Sequence, residues 1–525
     1  MSARSRQHAL VAAALLLFAL VHAWQFRHHL TDDAFISFRY LANLFDGHGL
    51  VYNPGERVWG FTNFLWMAAL APWVAAGLDP LACARALGLL ATLCLFALVL
   101  WDPPAGRAGP RSWNPAGAAL LAASGPFLLQ AWSGLETAFF SLLLLLTLRL
   151  QSLARERPGW PGLAAGGAAA LATLTRPEGI FLFGLLLLDA ICERRVAAAR
   201  LPKRLATLLA GFAPLVLVYE ACMASYYGAL YPNSIDAKVA LSQEQILRGL
   251  HYAEVFVRHY PVYCVVPLVA AWRWRAASPD ERLLLRAALL FAAFPVAVGG
   301  DWMLGYRLFH PLMVLVVSLV SLALAGIPER VPSLRRRSAA VATLVALFCL
   351  LGLAGSLRDP HVAVATRPTL VYAAIRIGEW MRANLPGDAV LATNTAGSIP
   401  FYSRLPIIDM MGLNDEVIAR RRDLPDGWKG IEKGDGAYVL SRRPDYIQLG
   451  SYLGAPAPLF LSDIELFASE EFHRRYELVS FEVDPETTLR LWRRREHERG
   501  PLDPEERERI QRIAQRQLEI SAFRY

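Results

Sequence analysis

The sequence predicts a mainly helical, polytopic membrane protein with a soluble α/β domain at its C-terminal end. Three observations carry that prediction. Hydrophobic residues make up 55% of the 525-residue chain and charged residues only 19%. Apolar runs of near-spanning length recur up to residue 356, and from about Asp359 the composition becomes that of a soluble domain. Length alone would fit several soluble domains, but so apolar a chain with so little charge belongs to an integral membrane protein. The expected division is therefore a membrane part over residues 1–356 and an α/β part over 357–525.

The runs near 9–25, 82–101, 115–131, 134–150, 160–175, 177–192, 204–222, 255–272, 284–299, 307–325 and 338–356 approach the length of about 20 residues that crosses a bilayer. A helix over 63–80 is ambiguous. The first run has the basic start and apolar core of a signal peptide. His28-His29-Leu30 lacks the small-residue cleavage pattern, so the run is expected to remain as the first helix.

The formal charge of +8 is not a nucleic-acid signal. Basic residues cluster in alternate loops, at Arg4 and Arg6, Arg107 and Arg111, Arg155 and Arg157, 194–204, 273–286 and Arg335 to Arg337, which is the positive-inside pattern. For residues 27–62 to lie outside and 102–114 inside, the two apolar helices between them must make one crossing, so one lies in the interface. About eleven spans follow, with the amino end inside and everything after 357 outside. All six cysteines fall in or beside apolar segments, so no disulfide framework is implied.

The first outer loop, residues 27–62, begins with two adjacent carboxylates, Asp32 and Asp33, where the chain leaves the membrane. Ionised groups are costly in hydrocarbon, about 3 kcal/mol each at a helix centre, so such a pair marks a candidate site. Thr31 or Asp32 can cap a helix from about Asp33 to Phe45, with Phe35, Phe38, Leu41, Ala42 and Phe45 at helical spacing. That pattern predicts a helix on the membrane surface. A capping role uses only one carboxylate, because successive helical residues point about 100° apart. Glu56, Trp59 and Asn63 lie in the turn-rich, aromatic continuation.

Later outward loops add Glu136, the sequence Arg176-Pro177-Glu178, Asn233, Asp236, Lys238, Asp301, Trp302 and Arg307, with His310 one turn further on. Arg176 and Glu178 can also pair with each other. Together these residues place carboxylates, cations and aromatic rings at one membrane face. A lipid-anchored anionic substrate needs such a set, since an isoprenoid tail stays in the bilayer and leaves its phosphate-linked headgroup at the surface. Arg39, Arg176, Lys238, Arg307 and His310 are the expected phosphate contacts. Glu56, Trp59, Asn63, Glu136, Glu178, Asn233, Asp236, Asp301 and Trp302 are the expected sugar and acceptor contacts. With phosphate as leaving group one carboxylate base suffices, and Asp32 is favoured as that base with Asp33 orienting the acceptor.

The C-terminal part reads as helix 369–384, strand 389–392, the turn-rich Asn394–Ser398, a short apolar helix, strand 405–409 and a further strand at 444–447. Its tail, 486–516, is charged and expected to be solvent-exposed.

Residues 32–66, DDAFISFRYLANLFDGHGLVYNPGERVWGFTNFLW, resemble the first outer loop of GT-C membrane glycosyltransferases, particularly the terminal β-(1→2) arabinofuranosyltransferases and related pilin arabinosyltransferases. SGLET (133–137), LTRPEG (174–179), YPNSIDAK (231–238), GGDWMLGYRLFHPL (299–312) and PFYSRLPIIDMMGLND (400–415) agree in order. The resemblance implies a GT-C helical bundle and an inverting transferase that uses a polyprenyl-phosphate sugar, commonly decaprenyl-phosphoryl arabinofuranose. Asp32 and Asp33 match the family's acidic pair. It further implies a glycan or glycoprotein acceptor, no required cofactor, at most a weak dependence on divalent metal, and a place in a bacterial inner membrane with the site facing the periplasm or exterior. Rival readings are another polyprenyl-phosphate sugar such as mannose, a lipid-linked glycan ligase or polymerase, and a lipid-sugar transporter. The concentration of charge at the outer edge disfavours the last.

Overall fold

The structure, a computed structural model, describes residues 3–101, 115–157, 159–192, 201–238, 242–325, 334–425 and 433–522. The basic positions Arg107, Arg111 and most of the 194–204 cluster lie outside the described residues.

The amino-terminal half is helical throughout: α1 Ala3–Trp24, α2 Ala34–Phe45, α3 Phe64–Ala75, α4 Pro80–Leu100, α5 Pro115–Ala122, α6 Gly125–Leu129, α7 Thr137–Glu156, α8 Trp160–Thr175, α9 Gly179–Cys192 and α10 Leu201–Tyr227. There follow α11 Asn233–Lys238, α12 Gln243–His259, α13 Val262–Trp272, α14 Pro279–Ala297, α15 His310–Ala325 and α16 Leu334–Arg358. Helices α7, α8, α9 and α10 pack side by side. Small residues make one close crossing. A Cβ at Gly166 would overlap the Leu208 carbonyl, and one at Gly211 would overlap that of Leu163, so α8 and α10 meet backbone to backbone.

Among the described residues four helices are long and apolar enough to cross a membrane, within α1, α4, α7 and α10. Helices α12 and α13 make a fifth if the pair, bent by 96°, counts as one span. Helices α3 and α9 and the stretches Arg307–Val320 and Ala346–Arg358 are apolar but shorter. The molecule is thus a membrane protein, but the helix lengths do not reproduce eleven spans. Residues 115–131 show why. They form two short helices broken at Ser124, where the Gly125 N–H turns to the Ser356 hydroxyl at 2.9 Å, and every residue of α6 is buried.

The C-terminal part continues with α17 Pro360–Ala365, α18 Val371–Asn384, β1 Leu391–Thr393, α19 Ser398–Ser403, β2 Ile407–Asp409, α20 Glu416–Ala419, α21 Gly436–Ser441, β3 Tyr446–Gln448, α22 Leu461–Ala468, α23 Glu470–Arg475, β4 Tyr476–Asp484, β5 Thr487–Arg494 and α24 Pro504–Ala522. Its five-stranded sheet has the order β2-β1-β3-β5-β4. Strand β1 is parallel to β2 and β3, and β5 is antiparallel to β3 and β4. Ala392 lies between Ile408 and Ile447 in register, all three buried, as parallel strands covered on both faces require.

Two expectations are corrected here. Most of the tail is exposed as expected, but it is not solvated throughout: Leu489 and Leu491 of β5 are wholly buried, and Ile510 and Ala514 of α24 pack onto the domain. Alternating charge on an amphipathic strand and helix hid their apolar faces. Nor does α2 lie bare on a membrane surface. Phe35, Phe38 and Leu41 are buried, and the Phe35 ring sits 5.7 Å from those of Phe401 and Tyr402 on α19. The C-terminal domain covers Phe35 and Phe38 of the apolar stripe, while Phe45 at its end is exposed.

Candidate active site

Neither acid of the pair caps α2, which has no side-chain cap at its start. The chain turns instead through backbone bonds, from the Ala34 N–H to the Thr31 carbonyl and from the Phe35 N–H to the Asp32 carbonyl. This frees both carboxylates for other partners. Asp32, 6% exposed, points at the C-terminal domain, where its oxygens accept from the Gly397 N–H at 3.0 Å, the Ser398 N–H at 2.9 Å and the Ser398 hydroxyl. The two N–H donors are the free amides at the start of α19. Burial pushes the Asp32 carboxyl up to about 6, and the charge of Asp33 adds to the effect while the three donors oppose it.

Asp33 faces the other way. Its Oδ2 lies 3.8 Å from Lys238 Nζ, and both side chains are part-exposed. Arg307, paired with Asp301, lies within the field of Asp33 and Glu136. Glu136 is held by Arg176 at 2.8 Å and by Asn63 Nδ2 at 3.1 Å, and Asn63 in turn accepts from Ser37. Arg176 also pairs with Glu178. Asp33, Lys238, Arg307, Asp301, Glu136, Arg176, Glu178 and Asn63 therefore come together from five loops or helix ends. Tyr452 of the C-terminal domain lies in the field of both acids, and burial together with their charges raises its phenol well above the ordinary range.

Other expected contacts are engaged elsewhere. Arg39 is buried and donates to the carbonyls of Tyr52, Pro400 and Leu405 and to Asn53 Oδ1, so its guanidinium has no face left for a phosphate. His310 is buried in the helical core, bonded to Ser141 at 2.7 Å and stacked on Phe127. Trp59 is covered by Tyr227, stacked at 5.9 Å, and offers no open face to a sugar. The Asn233 amide donates to the carbonyls of Gly412, Leu413 and Asp415, joining α11 to the C-terminal domain. Glu56 meets Arg442 on the exposed rim, and Asp236 receives the Tyr231 hydroxyl. Trp302 is half-exposed. For Arg39, Asn233 and Glu56 a polar group was assigned to a ligand when the C-terminal domain was its partner. Missed were Tyr52, Asn53, Gly397, Ser398 and Tyr452. The one available signal was the turn-rich Asn394–Ser398 preceding a short helix, a stretch that leaves amides to be satisfied. Among the described residues no group of three or more His, Cys, Asp or Glu is placed to hold a metal ion.

Comparison with known proteins gives this geometry a setting. The chain is similar to the terminal β-(1→2)-arabinofuranosyltransferase of Mycobacterium tuberculosis, 29% identical over 346 residues that cover 58% of this chain and 54% of that protein. The enzyme of the same name from Corynebacterium glutamicum is 28% identical over 363 residues, covering 59% and 50%. The chain thus spans about half the length of the curated relatives it matches. A family described as a domain of unknown function (DUF8728) matches residues 363–500. The crystal structure of ArnT from Cupriavidus metallidurans bound to undecaprenyl phosphate superposes with a TM-score of 0.50 at 14% identity, over 78% of this chain and 86% of that one. The apo oligosaccharyltransferase of Archaeoglobus fulgidus does so at 0.50 and 14%, over 75% and 64%. The chain has the GT-C fold. At these identities the structural likenesses carry the fold alone, and what the site does is argued from its residues.

Proposed function

We propose that the protein transfers a sugar, D-arabinofuranose, from a polyprenyl-phosphate donor to a glycan or glycoprotein acceptor on the outer face of a bacterial plasma membrane, with inversion at the anomeric carbon. The carrying observation is the part-open Asp33 carboxylate 3.8 Å from the Lys238 ammonium, beside Arg307. Similarity to the two arabinofuranosyltransferases supports the sugar class.

In the proposed reaction Asp33 takes the proton of an acceptor hydroxyl as its oxygen attacks the anomeric carbon. The bond from that carbon to the donor phosphate oxygen breaks, and the electron pair leaves with the polyprenyl phosphate. Lys238 and Arg307 meet its charge, Lys as a compact point and Arg as a fork. A positioned base contributes typically 10²- to 10⁴-fold. The roles favoured from sequence are reversed, because all three donors around Asp32 compete for the lone pairs a base would use. The alternating basic loops support an outward-facing site.

The test is mass spectrometry of product made by purified protein from candidate polyprenyl-phosphate sugars and a glycan acceptor. A single added pentose from the arabinofuranosyl donor is the expected result. Addition of a hexose only, or of a polymer, would overturn the proposal.

A further inference from the structure

The region that matches a family of unknown function is built into the acid loop. Backbone touches backbone there: a Cβ at Gly397 would overlap the Asp32 carbonyl oxygen and stand 2.5 Å from Oδ2. Only glycine permits that approach, and it is what brings two amides and the Ser398 hydroxyl onto one carboxylate. The 394–398 loop is fixed from both sides. Tyr52 of the first outer loop donates to the Ala396 carbonyl at 2.7 Å. From within the domain, Asn394 Nδ2 bonds Asp463 Oδ1 at 2.7 Å and the Gly450 carbonyl at 3.1 Å. Asp463 also accepts the Gly450 N–H, and Gln448 bonds the Tyr452 carbonyl, so the same polar set holds the turn that brings Tyr452 beside the acids. A loosely tethered binding module has no need of these contacts.

We propose that the α/β region over residues 363–500 is a working half of the reaction centre, in which Gly397 and Ser398 are positioning residues that fix Asp32 and, through the adjoining backbone, aim Asp33 at the acceptor hydroxyl. This rests on the transfer reaction proposed above. Since Asp33 follows Asp32 directly, freedom in one carboxylate becomes freedom in the other, and misaligned reacting groups lose rate more than binding.

The experiment compares full-length Ser398→Ala, Ser398→Thr, Ser398→Val and Gly397→Ala in the transfer assay, each checked for thermal stability. Removal of one hydrogen bond to a charged group lowers kcat about tenfold to a hundredfold in Ser398→Ala, with the donor KM unchanged. Ser398→Thr, which keeps the hydroxyl, restores kcat, and the near-isosteric Ser398→Val does not. That pair carries the comparison if the Ala protein is unstable. Gly397→Ala, which pries the two backbones apart, loses more. Near-native kcat in Ser398→Ala and Ser398→Val, with Asp33→Asn inactive, would overturn the positioning role and leave the proposed reaction standing. An active Asp33→Asn would overturn the reaction itself.

Discussion

Arg39→Met replaces a buried cation that holds two domains together by a similarly long apolar side chain. The guanidinium Nε donates to the Tyr52 carbonyl at 2.7 Å, and Nη2 donates to Asn53 Oδ1 at 3.0 Å and the Leu405 carbonyl at 2.8 Å; Nη1 reaches the Pro400 carbonyl. Its plane also lies 4.6 Å from the Tyr52 ring centre. Hydrogen bonds to a charged group contribute about 1.5–3 kcal/mol each. Only the bonds to the Pro400 and Leu405 carbonyls cross between the domains, and two such bonds contribute about 3 kcal/mol or more to docking. A loss of about 3 kcal/mol or more follows, which at about 1.4 kcal/mol per tenfold raises the undocked population at least a hundredfold. Hydrogen exchange of the purified protein reads this directly. Amides over 396–405 should exchange about a hundred times faster in Arg39→Met, while those of β1 and β3 keep their protection. Unchanged exchange over 396–405 would refute the reasoning, as would equal acceleration throughout the sheet.

Three further outcomes are expected. Burial raises the carboxyls of Asp32, Asp409 and Asp463 each to about 6. At pH 5 the folded protein therefore holds protons that the unfolded chain has released, and its thermal stability should fall as pH rises from about 4 to 6; Asp463→Asn should flatten that slope, and a rise over the same range would contradict the burial argument. Lys238→Met should raise the donor KM about tenfold to a hundredfold through loss of one charge-assisted contact to phosphate, checked by transfer kinetics at varied donor concentration. Ser451→Cys, at an exposed turn, should react with an impermeant thiol reagent in intact cells; labelling that required opening of the inner face would reverse the assigned orientation.

Much of the fold was legible because its signals are local. Apolar length marked α1, α4, α7 and α10, and the short helix at 398–403 and the strands at β1, β2 and β3 followed from turn residues flanking apolar runs. The β4–β5 hairpin and α24 were lost because their solvent faces carry dense alternating charge, which masks Leu489, Leu491 and Ile510. Span counting failed at 115–131 for a different reason. An apolar run reports burial, and protein buries α5 and α6 as effectively as lipid would. In the site, residue types were legible and pairings were not. Arg39 and Asn233 look like ligand contacts, yet Arg39 also reaches Pro400 and Leu405, and Asn233 reaches Gly412, more than 170 positions away in sequence. Distance along the chain also concealed that Ser398 answers Asp32.

Transfer of labelled sugar by purified Asp33→Asn, beside Asp32→Asn and each checked for thermal stability, tests the central claim most directly. Asn keeps the shape and hydrogen bonding of Asp33 but cannot take the acceptor proton, so turnover should fall roughly 10²-fold or more with stability unchanged. Asp32→Asn sets an NH₂ group among the donors of Gly397 and Ser398 and should lose stability along with rate. Near-native turnover by a stable Asp33→Asn protein would contradict the assignment of Asp33 as the base.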